Sequence, residues 1–158
     1  MALERRMSDL DTYLFAKGPH YAIYEKMGAH LAEEDGKAGT YFSVWAPNAR
    51  SVSVVGDFNN WDRSAHPMQP VQQSGIWDIF VPGVKAGDLY KFAVETSQGY
   101  TVLKADPYGN QSQLRPDNAS VVADIRHFDW TDQAWRKANH EEKTESPQAI
   151  YEVQQGSW

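Results

Sequence analysis

Between Gly39 and Asp124, short apolar runs alternate with turn residues at a spacing of roughly 8–12 residues, with no helix-length segment between them. That rhythm is the tightest constraint on the fold. Connections this short force antiparallel pairing, because a parallel crossover needs a chain of about a dozen residues or more. The strand-like runs are Gly39 to Ala46, Ser51 to Gly56, Met68 to Val71, Ile76 to Val81, Leu89 to Glu95, Tyr100 to Lys104 and Ser120 to Asp124. Pro47-Asn48, Ser74-Gly75, Pro82-Gly83 and Gln98-Gly99 punctuate them. The pattern predicts a mainly β fold, an immunoglobulin-like antiparallel β-sandwich with a short helical N-terminal lead-in and a helical C-terminal linker.

Side chains alternate across a strand, so the same runs assign faces. In Leu89 to Glu95, the residues Tyr90, Phe92 and Val94 share the better core face, which turns Lys91 outward. Between Ile76 and Val81 both faces are partly apolar: Trp77, Ile79 and Val81 on one, Ile76, Asp78 and Phe80 on the other. A sheet apolar on both sides implies a second covered surface.

The flanks differ. Ser8 and Asp11 form a capping box for a short helix carrying Leu10, Tyr13 and Leu14 on one face, and Gly18-Pro19 ends it. His20 to Leu31 is amphipathic at a mixed spacing that fits helix and strand alike, and Glu33 to Gly39 reads as a solvated loop. Asp106 to Asn118 also reads as loop, because Pro107, Gly109, Asn110, Pro116 and Asp117 oppose regular structure. Downstream, Thr131 caps a helix from Asp132 to about His140, with Asp132–Arg136 and Lys137–Glu141 spaced for pairing. Ala149 to Val153 then reads as a strand without a partner, the first element of a further domain. Its Ile150, Tyr151 and Val153, with Trp158, are expected to fold back on the sandwich, pair between chains in self-association, or stay disordered. The organisation is a lead-in over 1–36, a sandwich over 37–126, a linker over 127–148 and a lone strand over 149–158.

Composition narrows the function. The net charge is −6 and the basic residues are scattered, so the footprint that nucleic acid requires is absent. No apolar run approaches a membrane span or a signal-peptide core. The absence of cysteine excludes disulfides and thiolate metal sites and fits a reducing cytoplasm. His20, His30, His66, His127 and His140 show no metal-ligand spacing, and no nucleophile elbow or phosphate-cradling loop is present. The carboxylates read as solvated surface rather than as an acid/base pair. No catalytic residue, metal or cofactor is expected in this chain. Asn118-Ala119-Ser120 matches a glycosylation sequon and, without a secretion signal, reads as coincidence.

Aromatic residues, 13% of the chain, are the compositional outlier. Ser51 to Asp62 shows why that matters: a β-branched strand runs into the turn Gly56-Asp57-Phe58-Asn59-Asn60-Trp61-Asp62. Trp61 in that polar turn either plugs the end of the sandwich or faces a ligand. A flat indole buries the C–H face of a sugar ring while Asn, Lys and Asp reach its hydroxyls, and Trp61 with outward Lys91 supplies those parts. Burying roughly 100 Å² per stacked ring is worth about 2.5 kcal/mol. Two stacks, after association costs, give affinities on the order of 0.1–1 mM.

Three motifs carry a resemblance: Phe42-Ser43-Val44-Trp45-Ala46-Pro47-Asn48-Ala49, then Val54-Val55-Gly56-Asp57-Phe58-Asn59-Asn60-Trp61-Asp62, then His66-Pro67-Met68. Ser74-Gly75-Ile76-Trp77, Tyr90-Lys91-Phe92 and Lys104-Ala105-Asp106-Pro107-Tyr108 continue it. Together they resemble a family 48 carbohydrate-binding module. Tyr24-Glu25-Lys26-Met27-Gly28-Ala29-His30 and the ending Ile150-Tyr151-Glu152-Val153…Gly156-Ser157-Trp158 make the chain similar to the N-terminal part of bacterial 1,4-α-glucan (glycogen) branching enzymes. The resemblance implies a cytoplasmic α-glucan-binding module in glycogen biosynthesis, ahead of an α-amylase-type catalytic barrel that the lone strand would open. Gln154-Gln155 depart from the His-Leu pair usual there. By analogy with the glycogen-binding module of the AMP-activated kinase β subunit, Trp61 stacks on sugar and Lys91 hydrogen-bonds to it. The same analogy puts Asn60 beside them, Tyr100 as second platform, and Leu114 and Asn118 in a distal loop. Two alternatives stay open: a docking domain that positions the barrel without binding glucan, and the same module from a debranching enzyme or trehalohydrolase.

Overall fold

The computed structural model describes residues 6–126, 129–138, 150–154 and 156. Residues 1–126 and 127–158 form separate compact units.

The larger unit is a sandwich of two antiparallel sheets. One has the order β1-β2-β5-β4, formed by β1 (Gly28–Glu34), β2 (Lys37–Trp45), β5 (Ile76–Pro82) and β4 (Gln69–Val71). The other has the order β3-β6-β9-β8, formed by β3 (Ser51–Gly56), β6 (Leu89–Glu95), β9 (Ser120–Val121) and β8 (Gln111–Ser112). β7 (Thr101–Lys104) pairs with the C-terminal part of β6. The core between them is built from alternating residues: Phe42, Val44 and Val81 from the first sheet, Val52, Val54, Tyr90 and Phe92 from the second. Phe42 meets Tyr90 edge-on at 5.0 Å between ring centroids, and Tyr90 meets Phe92 at 5.8 Å. The face assignment for β6 holds, with Tyr90 and Phe92 inward and fully buried.

β1 is the strand the sequence did not resolve. Ala29 and Leu31 point into the core, but the run ends in charged Glu33-Glu34, which reads as loop. Charges are tolerated there because β1 is a sheet edge. The hairpin to β2 turns on Asp35 and Gly36, with φ of 51° and 73°, the two-residue turn that a right-twisted hairpin favours. β8, only two residues long, lies within the segment 106–118 expected to be loop throughout.

The second covered surface exists. On the outer side of the four-stranded sheet, Tyr41, Ser43 and Trp45 of β2 lie in register with Phe80, Asp78 and Ile76 of β5. Residues 8–27 cover this side: Ser43 Oγ donates to Met27 Sδ at 3.3 Å, Phe15 packs edge-on against Trp45, and Gln72 Nε2 donates to Asp9 Oδ1 at 2.5 Å. The Tyr41 hydroxyl donates to Asp78, whose carboxyl burial pushes above the usual carboxylate range.

α1 (Asp9–Lys17) starts at Ser8 with the expected capping box and ends on left-handed Gly18. Its apolar stripe is turned partly outward. Leu10 and Tyr13 are 64% and 60% exposed, while Asp11 and Thr12 are buried. The reason is a polar knot: Asp11 accepts from Ser8 N at 2.8 Å and Lys26 Nζ at 2.6 Å, and its other oxygen meets His20 Nε2 at 2.8 Å. Burial alone would raise the Asp11 pKa, but the Lys26 ammonium, Ser8 and His20 outweigh it and hold the carboxyl well below the usual range.

In the smaller unit α2 spans Gln133–Ala138, and Arg136 Nε pairs with Asp132 at 3.3 Å as spaced. Glu141, the expected partner of Lys137, lies outside the described residues. Residues 150–154, read from the sequence as a strand, form none here, and Ile150 and Tyr151 are exposed. A run of strand-like composition has no ladder to join without a partner for its N–H and C=O groups. Ala149, Gln155, Ser157 and Trp158 lie outside the described residues.

Candidate functional site

The strand β3 delivers its turn with little freedom. At Gly56 a Cβ would stand 2.1 Å from the Leu89 carbonyl oxygen and 2.6 Å from the Phe58 ring, so no other residue fits. A single 3₁₀ turn, Asp57–Asn59, follows. Asn59 then ties the loop to the strand: Oδ1 accepts from Gly56 N at 3.0 Å and Nδ2 donates to Val54 O at 3.0 Å. The same Nδ2 lies 2.8 Å from His66 Nδ1, which must accept, leaving the imidazole proton on Nε2.

Within this turn the structure divides two roles that the sequence left merged. Phe58 is the plug, stacked on Phe42 at 6.0 Å and 28° and edge-on to His66 at 5.7 Å, packed against the core. Trp61 is not part of the core cluster; it is partly exposed. Asn60 and Trp61 have φ of 51° and 60°, successive left-handed conformations. A large side chain rarely adopts this conformation, and such strain gathers at ligand clamps. The ring is held from below, with Trp61 N donating to Gly56 O at 3.0 Å and Nε1 donating to Asp57 Oδ1 at 3.0 Å.

Lys91 stands beside this turn by strand register. It pairs directly with Val55, one residue before the Gly56 carbonyl that Trp61 caps. Its ammonium donates to Asn118 Oδ1 at 2.5 Å, joining two candidates 27 residues apart. The loop carrying Asn118 is closed at its neck by Gln113 N donating to Ala119 O at 2.8 Å, so Leu114 and Asn118 sit at its two shoulders. Asn60 and Leu114 are exposed.

Tyr100 is the residue the structure does not bring to this face. It lies beyond the end of β7, opposite Thr96, whose N–H donates to the Tyr100 carbonyl at 2.9 Å. Continuing the alternation, Thr96 has the parity of Phe92 and Val94, not of Lys91. The residue that does share the Lys91 face is Leu103, in register with Ala93 and 42% exposed. The signal for it is pairing register, which depends on the length of the hairpin tip.

A second tyrosine–carboxylate pair props this sheet. Tyr90 OH donates to Asp106 Oδ2 at 2.6 Å, and Asp106 also accepts from Tyr108 N at 2.8 Å. Burial raises the Asp106 pKa against these hydrogen bonds, and burial and the carboxylate raise that of Tyr90. Every partner of the pair is internal, so its role is to fix the chain between β7 and β9. Among the described residues no helix is long and apolar enough to cross a membrane.

The two packed antiparallel sheets define a β-sandwich module, and comparison with known proteins names its family. The model of carbohydrate-binding module 48 (isoamylase N-terminal domain) matches residues 26–109. The chain belongs to that family. More narrowly, it matches the N-terminal region of 1,4-alpha-glucan branching enzymes GlgB. It is 50% identical over 153 residues to that of Synechococcus sp. (strain CC9605), covering 96% of this chain and 20% of that protein. It is equally identical to that of Marinobacter nauticus, covering 96% of this chain and 24% of that protein. The chain thus spans about a fifth to a quarter of the length of the curated relatives it matches. Among solved structures, ligand-free PulA from Klebsiella pneumoniae superposes with a TM-score of 0.51 at 28% identity, covering 64% of this chain and 10% of that one. A putative alpha amylase from Salmonella typhimurium superposes at 0.52 with 25% identity, covering 69% and 16%.

Proposed function

We propose that this chain binds α-1,4-glucan, as in glycogen, across the outer face of the β3-β6 sheet, within a branching enzyme that transfers an α-1,4 segment to a 6-hydroxyl. Trp61 stacks on a pyranose ring, Lys91 and Asn118 reach its hydroxyls, and Asn60 lines the edge. Leu103 offers the second apolar contact in place of Tyr100, and Leu114 borders the far side. The observation that carries the reading is the Lys91–Asn118 bond, on the strand paired with the one whose exit turn holds a tryptophan left out of the core. A polar pair of this kind, with a partly exposed flat ring, matches the amphipathic surface of a sugar. Affinity electrophoresis in glycogen gels tests it. Losing one stack, worth about 2.5 kcal/mol, weakens binding by roughly 50–100-fold in Trp61→Ala. Equal mobility of wild type and variant, with and without glycogen, overturns the reading.

A second reading is favoured by the outward Leu10 and Tyr13 of α1. In it the module docks on and positions the catalytic barrel. Adding that barrel in trans and finding no association counts against it.

A further inference from the structure

The Tyr24–His30 run, which carries the resemblance to branching enzymes, has no part in the Trp61 face. Three of its residues, Tyr24, Glu25 and His30, line a cleft of about 400 Å³ elsewhere on the larger unit. The cleft lies where β1, an edge of the four-stranded sheet, meets the chain leaving β9. β3, whose exit turn carries Trp61, is the opposite edge of the five-stranded sheet.

We infer that this cleft is a second glucan-binding site, with Tyr24 as its stacking platform. Its lining has the two parts a sugar needs. Tyr24 and Ile125, 61% and 66% exposed, present apolar surface where a soluble fold would otherwise hide it. Around them stand Asn110 and the fork pair in which Arg126 Nε and Nη2 donate to the two oxygens of Asp124 at 3.0 and 3.1 Å. An amide and a planar guanidinium–carboxylate pair suit neighbouring hydroxyls. One cation against two carboxylates gives no field for a phosphate or nucleotide, so the ligand is a neutral polyhydroxylated chain. The volume is at the lower end for ligand sites, room for roughly a di- or trisaccharide. The identity of that chain as α-glucan rests on the reading of the Trp61 face. Two weak sites on opposite edges of one module would hold a branched polymer by avidity.

The test is a maltoheptaose titration of the full 158-residue chain followed by amide NMR, with glycogen-gel retardation alongside. Wild type, Tyr24→Ala, Trp61→Ala and the double variant are compared, and thermal melts confirm that each is folded. The expected result is two separate groups of shifted amides, one at 57–61 and 91, the other at 24–31 and 123–126. Each single variant loses its own group, and glycogen retention falls about tenfold or more in each. Asn110→Ala, which leaves the platform in place, weakens only the second group. If Tyr24→Ala binds both ligands like wild type while Trp61→Ala abolishes binding, the cleft inference is overturned and the Trp61 reading stands. The converse pattern overturns the Trp61 reading and keeps the cleft. Maltoheptaose shifting neither group overturns both.

Discussion

Phe58 and Trp61 lie three residues apart in one turn, and truncating each separates plug from platform. Phe58 stacks on Phe42, meets His66 and packs on the core, yet is only partly buried. Phe58→Ala therefore costs about 2–3 kcal/mol, somewhat below the range for a fully buried phenylalanine. For a unit of this size that lowers the melting temperature by about 8–12 °C. Trp61 contributes one hydrogen bond from Nε1 to Asp57 between exposed groups and no core contact. Trp61→Ala costs less than about 1 kcal/mol. Urea unfolding monitored by far-ultraviolet circular dichroism reads both, and unchanged m-values confirm that the same cooperative unit is being measured. Glycogen retention of the same samples should run in the opposite order, with Trp61→Ala losing more than Phe58→Ala. Equal destabilisation by the two variants would refute the reasoning, because it would make Trp61 a second plug.

Lys91→Ala should weaken maltoheptaose binding about tenfold, the worth of one charge-assisted hydrogen bond, measured by isothermal calorimetry. Gly56→Ala should destabilise by about 2 kcal/mol or more in urea unfolding, since its methyl collides with the Leu89 carbonyl. Asp11 has a lowered pKa in the fold, so its contribution to stability is present above about pH 4, its unfolded value, and is lost as pH falls further. Subtracting the pH–stability curve of Asp11→Asn from that of wild type isolates this slope from Asp78 and Asp106, which shift the other way. Self-association through residues 149–158 predicts that deleting them abolishes any concentration dependence of the sedimentation coefficient.

Strand rhythm was legible because most of these strands are two-sided: one face must be apolar, and turn residues must separate the runs. β3 and β6 begin and end where their composition does. β1 was not legible for a physical reason. As an edge strand it needs only Ala29 and Leu31 inward, and its charged end satisfies solvent rather than the core. The Asp35-Gly36 turn was the available signal, since charged flanks do not alter the φ preferences that make such a pair a hairpin. The outward placement of Leu10 and Tyr13 on α1 was invisible for another reason. Its apolar stripe obeys helical spacing, but Asp11 recruits His20 and Lys26 from residues whose conformation the sequence left open. A satisfied buried carboxylate then outweighs two exposed apolar side chains.

The same distinction separates the parts of the candidate site. Trp61 and Lys91 were readable because each depends on local features, a polar turn and an alternating strand. Their partnership with Asn118, and the substitution of Leu103 for Tyr100 on that face, depend on register across hairpins whose tips admit several lengths. One residue of slip reverses every face in a strand, so a hairpin tip misread by one residue exchanges a tyrosine platform for a leucine. Leu103 offers the smaller contact. If glucan binds here, the second stack is therefore weaker than the first, and the module relies on Trp61 and on whatever other surface it can engage. That asymmetry is what gives the Tyr24 cleft its weight: a face with a single strong platform holds a polymer poorly unless a second site shares the load.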